Sequence, residues 1–106
     1  MIFEWDDNKE QINIKKHGMD FETASRIFLD ENRLEIYDDL HSDYEDRYIT
    51  IGLIDTVMYV ATVIYTERGN DVVRIISARK ATPKERRFFK QPKILTLVIK
   101  CVKISS

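Results

Sequence analysis

The sequence predicts a single α+β domain in which a short N-terminal strand and two helices precede an antiparallel four-strand meander and a closing C-terminal helix. Three observations carry this prediction. Apolar residues recur at helical spacing before residue 33, and from there the period drops to two as far as about residue 79. A helix-start signature, Thr82-Pro83-Lys84-Glu85, then follows the last alternating run. Finally, 106 residues suffice for one modest core and not for two.

Each element has its own local signal. "IFEW" at 2–5 is a short strand, and Asp6 caps a helix over about 7–17, with Trp5 immediately before the cap. Gly18 is a left-handed stop, and Lys15, Lys16 and His17 suit the negative helix end, so His17 is read as part of a helix ending rather than as a catalytic group. Asp20 caps the second helix, with Phe21, Ala24, Ile27 and Phe28 on one face. "RLEIYDD" at 33–39 alternates, and the acidic "DDLHSDYED" at 38–46 is a loop. "RYITIGL" at 47–53 and "VMYVATVIYT" at 57–66 are strands joined by a turn at Asp55-Thr56, and "ERGN" at 67–70 turns the chain into "DVVRIISAR" at 71–79. Thr82 as cap, Pro83 in the first turn and Glu85 three residues after the cap start a helix over about 83–90, ending before Pro92. The helices are expected to pack on one face of the sheet.

Composition narrows the function. A lone cysteine, Cys101, excludes an internal disulfide framework and a thiolate zinc cluster. No secretory leader opens the chain and "ILTLVI" at 94–99 is too short to span a bilayer, so a cytoplasmic protein with no membrane contact is expected. Glycine-rich phosphate loops, nucleophile elbows, zinc spacings and paired-carboxylate motifs are missing, which leaves acid–base groups and arginines without a cofactor or metal. The formal charge of −1 hides an asymmetry: residues 1–46 hold 5 Lys and Arg against 14 Asp and Glu, a balance of −9, whereas residues 47–106 hold 12 against 4, a balance of +8. A basic side of this kind attracts phosphates.

The basic stretch "RIISARKATPKERRFF" at 74–89 is the richest in candidates. Arg74 lies inside a strand between Val73 and Ile75, and Arg79 lies where the strand yields to the helix. The planar, permanently charged guanidinium suits both to a phosphate. Strict alternation places them on opposite faces, so both line one site only if the strand is irregular or already finished at Ala78. Lys80, Lys84 and Arg87 are candidate phosphate contacts, although Lys84, Arg86 and Arg87 equally suit the solvated face of a short helix. In the acidic loop, Asp39-x-His41-x-Asp43 has no second histidine nearby to complete a transition-metal set, and Glu45-x-Arg47 places a carboxylate and a guanidinium on one side of a strand start. Tyr44, Tyr48, Tyr59 and Tyr65 are either base-stacking or half-buried packing residues.

"FEWDDNKEQINIKKHGMDFETASRIF", "DDLHSDYEDRYITIG", "YTERGN" and "RIISARKATPKERRFF" together resemble the BrnT toxins of type II toxin–antitoxin systems, in order and spacing from Phe3 to Phe89. "RIISARKAT" followed by Glu-Arg-Arg, and the pattern W-D-x-x-K…N…KHG, are its most specific parts. The resemblance implies a RelE-like fold and a metal-independent endoribonuclease that arrests translation and growth. It implies that the ribose 2′-hydroxyl attacks the adjacent phosphate, with Glu45 as proton acceptor, Arg47, Arg74 and Arg79 on the phosphate, and His41 as a candidate proton donor. Glu67 is a weaker candidate. It also implies a BrnA-like ribbon–helix–helix antitoxin, two toxins on an antitoxin dimer, with operator DNA contacted only through the antitoxin. The toxin domain is expected over residues 1–90; "KQPKILTLVIKCVKISS" departs from the family pattern, so 91–106 is read as an atypical extension whose Leu95, Leu97 and Ile99 suggest an added edge strand. An inactive relative that only engages antitoxin or RNA is the alternative, and a nucleic-acid-binding regulator is disfavoured by the lack of a recognition helix.

Overall fold

The computed structural model describes residues 1–91, so the expected edge strand and all but the first residue of the expected 91–106 extension lie outside the described residues. The elements run in the expected order: β1 (Ile2–Glu4), α1 (Asp7–His17), α2 (Phe21–Ser25) continued by a 3-10 turn over Arg26–Leu29, and β2 (Leu34–Tyr37). A second 3-10 turn over Asp39–His41 lies within the acidic loop; β3 (Arg47–Ile54), β4 (Tyr59–Glu67), β5 (Val72–Lys80) and α3 (Pro83–Phe89) complete the order. The helix boundaries follow their caps. Asp6 accepts from the Lys9 amide at 2.9 Å, and Gly18 closes α1 at φ 70°. Asp20 accepts from the Thr23 amide, and Thr82 with Glu85 forms a reciprocal capping box.

The meander is antiparallel as predicted, and β1 joins its β5 edge in parallel, giving the order β1-β5-β4-β3-β2. Because β1 pairs only through Glu4↔Arg74, the β5 edge beyond it lacks a strand partner there. Asn13 of α1 fills that role. Its Nδ2 donates to the Ala78 carbonyl at 2.9 Å and its Oδ1 accepts from the Ala78 amide at 3.1 Å, so one buried amide side chain satisfies both backbone groups. A further Nδ2 bond to the Met19 carbonyl fixes the chain after the helix.

Two apolar clusters lie on opposite faces of the sheet. On one face Phe21, Ala24 and Ile27 pack with Ala61, Val63, Ile75 and Ala78. On the other, Phe88 and Phe89 of α3 pack against a cluster of Leu34, Ile51, Val60 and Ala81. This corrects the expectation that all helices share one face. β3 and β4 are buried on both sides over Thr50–Gly52 and Val60–Val63, so both faces of the sheet are covered, and the short link after Lys80 carries α3 to the second one. The turn Arg26–Leu29 and the residues after it sit so close to β3 that a Cβ at Gly52 would lie 3.1 Å from Ile27 Cγ1 and 2.9 Å from the Arg33 Cβ.

Candidate active site

Arg74 and Arg79 are five positions apart on β5, and an ideal strand turns them to opposite faces. The β4–β5 ladder is not ideal. Tyr65 pairs with Ile75 and Ile64 with Ser77, which leaves Ile76 as the extra residue of a bulge. Arg74 is therefore opposite Thr66 and Arg79 opposite Thr62, and these two threonines share a face of β4. Arg47 is opposite Thr66 from the β3 side and joins the same face. The bulge thus puts Arg79 on the same face as Arg74 and Arg47, the α3 side of the sheet. They do not converge on one point: Arg47 and Arg74 flank Thr66 at about 10 Å across the strands, while Arg79 is roughly 13 Å further along β4.

Their commitments differ. Arg74 Nη1 donates to Glu4 Oε2 at 2.6 Å, across the β1–β5 pairing. Arg79 forms a two-pronged pair with Glu85, Nη1 to Oε1 at 2.7 Å and Nη2 to Oε2 at 3.0 Å. Glu85 also accepts from the Thr62 hydroxyl at 3.0 Å and from the Thr82 amide at 2.8 Å. Burial alone would raise the Glu85 pKa, but Arg79, Thr82 and Thr62 together hold it down to about 2; the bonds to Glu85 raise that of Arg79. Arg47 has no ion-pair partner among the described residues, and its Nε is shielded from solvent without a hydrogen bond.

The acidic loop is built onto the start of β3. The Asp38 amide donates to the Arg47 carbonyl at 2.8 Å, the Ser42 hydroxyl donates to the Asp38 carbonyl at 2.5 Å, and the Arg47 amide donates to Ser42 Oγ at 3.0 Å. Within this frame His41 Nδ1 lies 2.9 Å from the buried Asp38 carboxylate. A carboxylate can only accept, so Nδ1 carries the proton and Nε2 faces away from the pair. Glu45 pairs with Arg68 at 3.3 Å. His41, Glu45 and Arg47 share one open pocket of about 190 Å³, lined also by Leu40, Asp43 and Tyr44.

The remaining candidates disperse. Lys80, opposite Ala61, belongs to the α1 side of the sheet and sits 5.3 Å from the Tyr59 ring. Lys84 and Arg87 are exposed on α3, and Glu67, opposite Val73, is turned away from the arginine face. Tyr65 is buried, stacked on Tyr48 and bonded through its hydroxyl to Glu35. Among the described residues no group of three or more His, Cys, Asp and Glu is placed to hold a metal ion, and no helix is long and apolar enough to cross a membrane. Sequence reasoning missed Asp38, Glu4 and Arg68 as partners. Glu85 had a signal in its place in the capping box, and Asp38 had one in lying three residues before His41.

These features define a small α+β protein that presents arginines and a histidine–carboxylate pair on and beside one sheet face. The sequence model of the family described as "Ribonuclease toxin, BrnT, of type II toxin-antitoxin system" matches residues 5–85, and the chain belongs to this family. Its fold is similar to that of the Brucella abortus ribonuclease toxin BrnT, known from a 1.1 Å crystal structure, with a TM-score of 0.56 and 26% sequence identity, covering 77% of this chain and 99% of that one. A search of curated proteins finds no match.

Proposed function

We propose that the protein is a metal-independent endoribonuclease whose reaction is centred on the pocket of His41, Glu45 and Arg47. The observation that carries this reading is the unpaired Arg47 guanidinium beside an aspartate-oriented histidine in one pocket. In the reaction the ribose 2′-oxygen bonds to the adjacent phosphorus and the bond to the 5′-oxygen breaks, leaving a 2′,3′-cyclic phosphate and a 5′-hydroxyl. Glu45 takes the 2′-hydroxyl proton, and His41, as the imidazolium with its Nδ1–H held by Asp38, gives its Nε2 proton to the departing oxygen. Arg47 stabilises the charge that builds on the phosphate, with Arg74 next along the row. Arg79, already held by Glu85, acts as a positioning residue for α3.

The partner we propose is a BrnA-like ribbon–helix–helix antitoxin, two toxins to an antitoxin dimer, with operator DNA bound by the antitoxin. An acidic or apolar antitoxin segment across Arg47, Arg79 and α3 would silence the site, and complex formation should protect these residues from chemical modification. Protection confined to the acidic N-terminal half would refute that placement.

Antitoxin-free protein is expected to cleave single-stranded RNA equally with and without EDTA; loss on chelation would overturn the metal-independent mechanism. Arg47→Lys keeps the charge but loses the planar fork, and should lower kcat by about 10²–10³ with folding unaltered. Wild-type activity in this variant would remove Arg47 from the reaction.

A further inference from the structure

We infer that Tyr44, with Leu40 at the same pocket, is a stacking platform that holds one unpaired nucleobase of the RNA beside His41 and Arg47. This role in positioning and selectivity rests on the ribonuclease reading of that pocket. Tyr44 is 103% exposed and Leu40 83%, and both line the pocket that holds the reacting groups. Single exposed apolar residues are ordinary on a protein surface. Here an aromatic and a leucine stand together at the mouth of a pocket otherwise made of His41, Asp43, Glu45 and Arg47.

Their outward presentation is built in. Ser42, between them in sequence, is bonded both to the Asp38 carbonyl and from the Arg47 amide, and His41 is tied to Asp38. The loop is therefore pinned on both sides of Leu40 and short of Tyr44, and the apolar side chains are left in water. The other tyrosines do have packing roles. Tyr37, Tyr48 and Tyr65 form a stack of ring contacts, and Tyr59 lies under Lys80. Folding accounts for four of the five tyrosines and leaves Tyr44 over.

The chemistry of the occupant follows from the pocket. A planar apolar ring next to a guanidinium suits a nucleotide, with the base on the ring and the phosphate at Arg47. Both faces of a base in a duplex are covered by its neighbours, so only a splayed, single-stranded base can reach the ring. Stacking tolerates any base, so the platform selects unpaired RNA over duplex more than it selects sequence. The tyrosine hydroxyl has no part in it.

The test uses a short single strand that carries 2-aminopurine and 2′-methoxy groups throughout, which removes the attacking hydroxyl, together with cleavage kinetics on ordinary RNA. Wild type and Tyr44→Phe should quench the probe alike. Tyr44→Ala should weaken binding and raise KM by about 5- to 150-fold, with kcat within a factor of about 3. Leu40→Ala should show a smaller loss in the same sense. Both side chains are exposed, so thermal melts should match wild type. Tyr44→Ala binding and cleaving like wild type would overturn the platform. Equal loss of kcat in Tyr44→Phe and Tyr44→Ala would overturn it as well, since the hydroxyl would then be the active part. If wild type cleaves no RNA, the ribonuclease reading fails separately: quenching that depends on Tyr44 would still support the platform, and quenching that is absent or independent of Tyr44 would refute it.

Discussion

Arg79 gives both terminal nitrogens to Glu85, whereas Arg47 gives its guanidinium to none of the described residues. Two arginines of equal promise in the sequence thus divide into one that holds structure and one that is available to a substrate. The pair has a pH signature with a definite sign. Glu85 has a pKa of about 2 in the fold against an ordinary 4.5, so its ionised form stabilises the folded state fully above about pH 4.5. That contribution is lost as the pH falls toward 2. The full displacement corresponds to about 3 kcal/mol, and about 1–2 kcal/mol remains after discounting for partial exposure. Glu85→Gln should therefore be less stable than wild type by about 1–2 kcal/mol at pH 7, with the gap closing in acid. Urea titrations at pH 7, 4 and 3 measure it; a gap that stays constant with pH would remove Glu85 as the source. Arg79→Lys should lose stability in the same way, because an ammonium cannot reproduce the two parallel bonds.

At the scale of elements, the helix caps, which are local in the chain, were legible, and the side-chain partners set by distant pairing were not. Asp6, Gly18, Asp20 and the Thr82–Glu85 box act within one helical turn, and each helix end stands where its cap predicts. Likewise His41, Glu45 and Arg47 were found as a group because seven residues of one loop hold them. Arg68, which pairs with Glu45, and Glu4, which pairs with Arg74, come from a turn and a strand end that only the sheet brings near. Asp38, by contrast, lies three residues before His41 and is a local partner the sequence reading passed over. The Ile76 bulge was left open by the sequence, since strict alternation separates Arg74 from Arg79 and no glycine marks the irregularity. That bulge makes a sharp prediction. Ile76 pairs with nothing on β4, so deleting it leaves every other β4–β5 pair and both side-chain faces in register. The deletion should cost no more than about 1–2 kcal/mol, as an ordinary surface or packing change does. Deleting Ala78, a buried residue paired with Val63, should reverse the faces of the strand end and abolish folding. Circular dichroism and thermal melts separate the two, and equal damage from both would mean that the bulge residue is itself structural.

At the scale of the whole molecule, the positive charge that the described residues carry after residue 46 lies mainly on β3, β5 and α3, and part of it is spent internally. Arg74 is matched by Glu4 and Arg79 by Glu85. Among the described residues Arg47, Lys84 and Arg87 have no ion-pair partner and are available to a phosphate backbone, whereas Lys80 belongs to the other face. Counterion release makes that division measurable. Each phosphate neutralised on a single strand contributes about 0.7 to the fall of log K with log salt. Binding of a 2′-methoxy RNA, followed by fluorescence anisotropy between about 50 and 200 mM salt, should therefore lose about 0.7 of slope with Arg47→Gln, and the same with Lys84→Gln or Arg87→Gln. Tyr44→Ala removes stacking and no charge, so it should weaken binding at every salt concentration and leave the slope as it was. Lys80→Gln should change neither. If the slope is indifferent to Lys84 and Arg87, α3 does not touch the RNA backbone, and its basic residues are only the solvated outer face of the helix that covers Leu34, Ile51 and Val60.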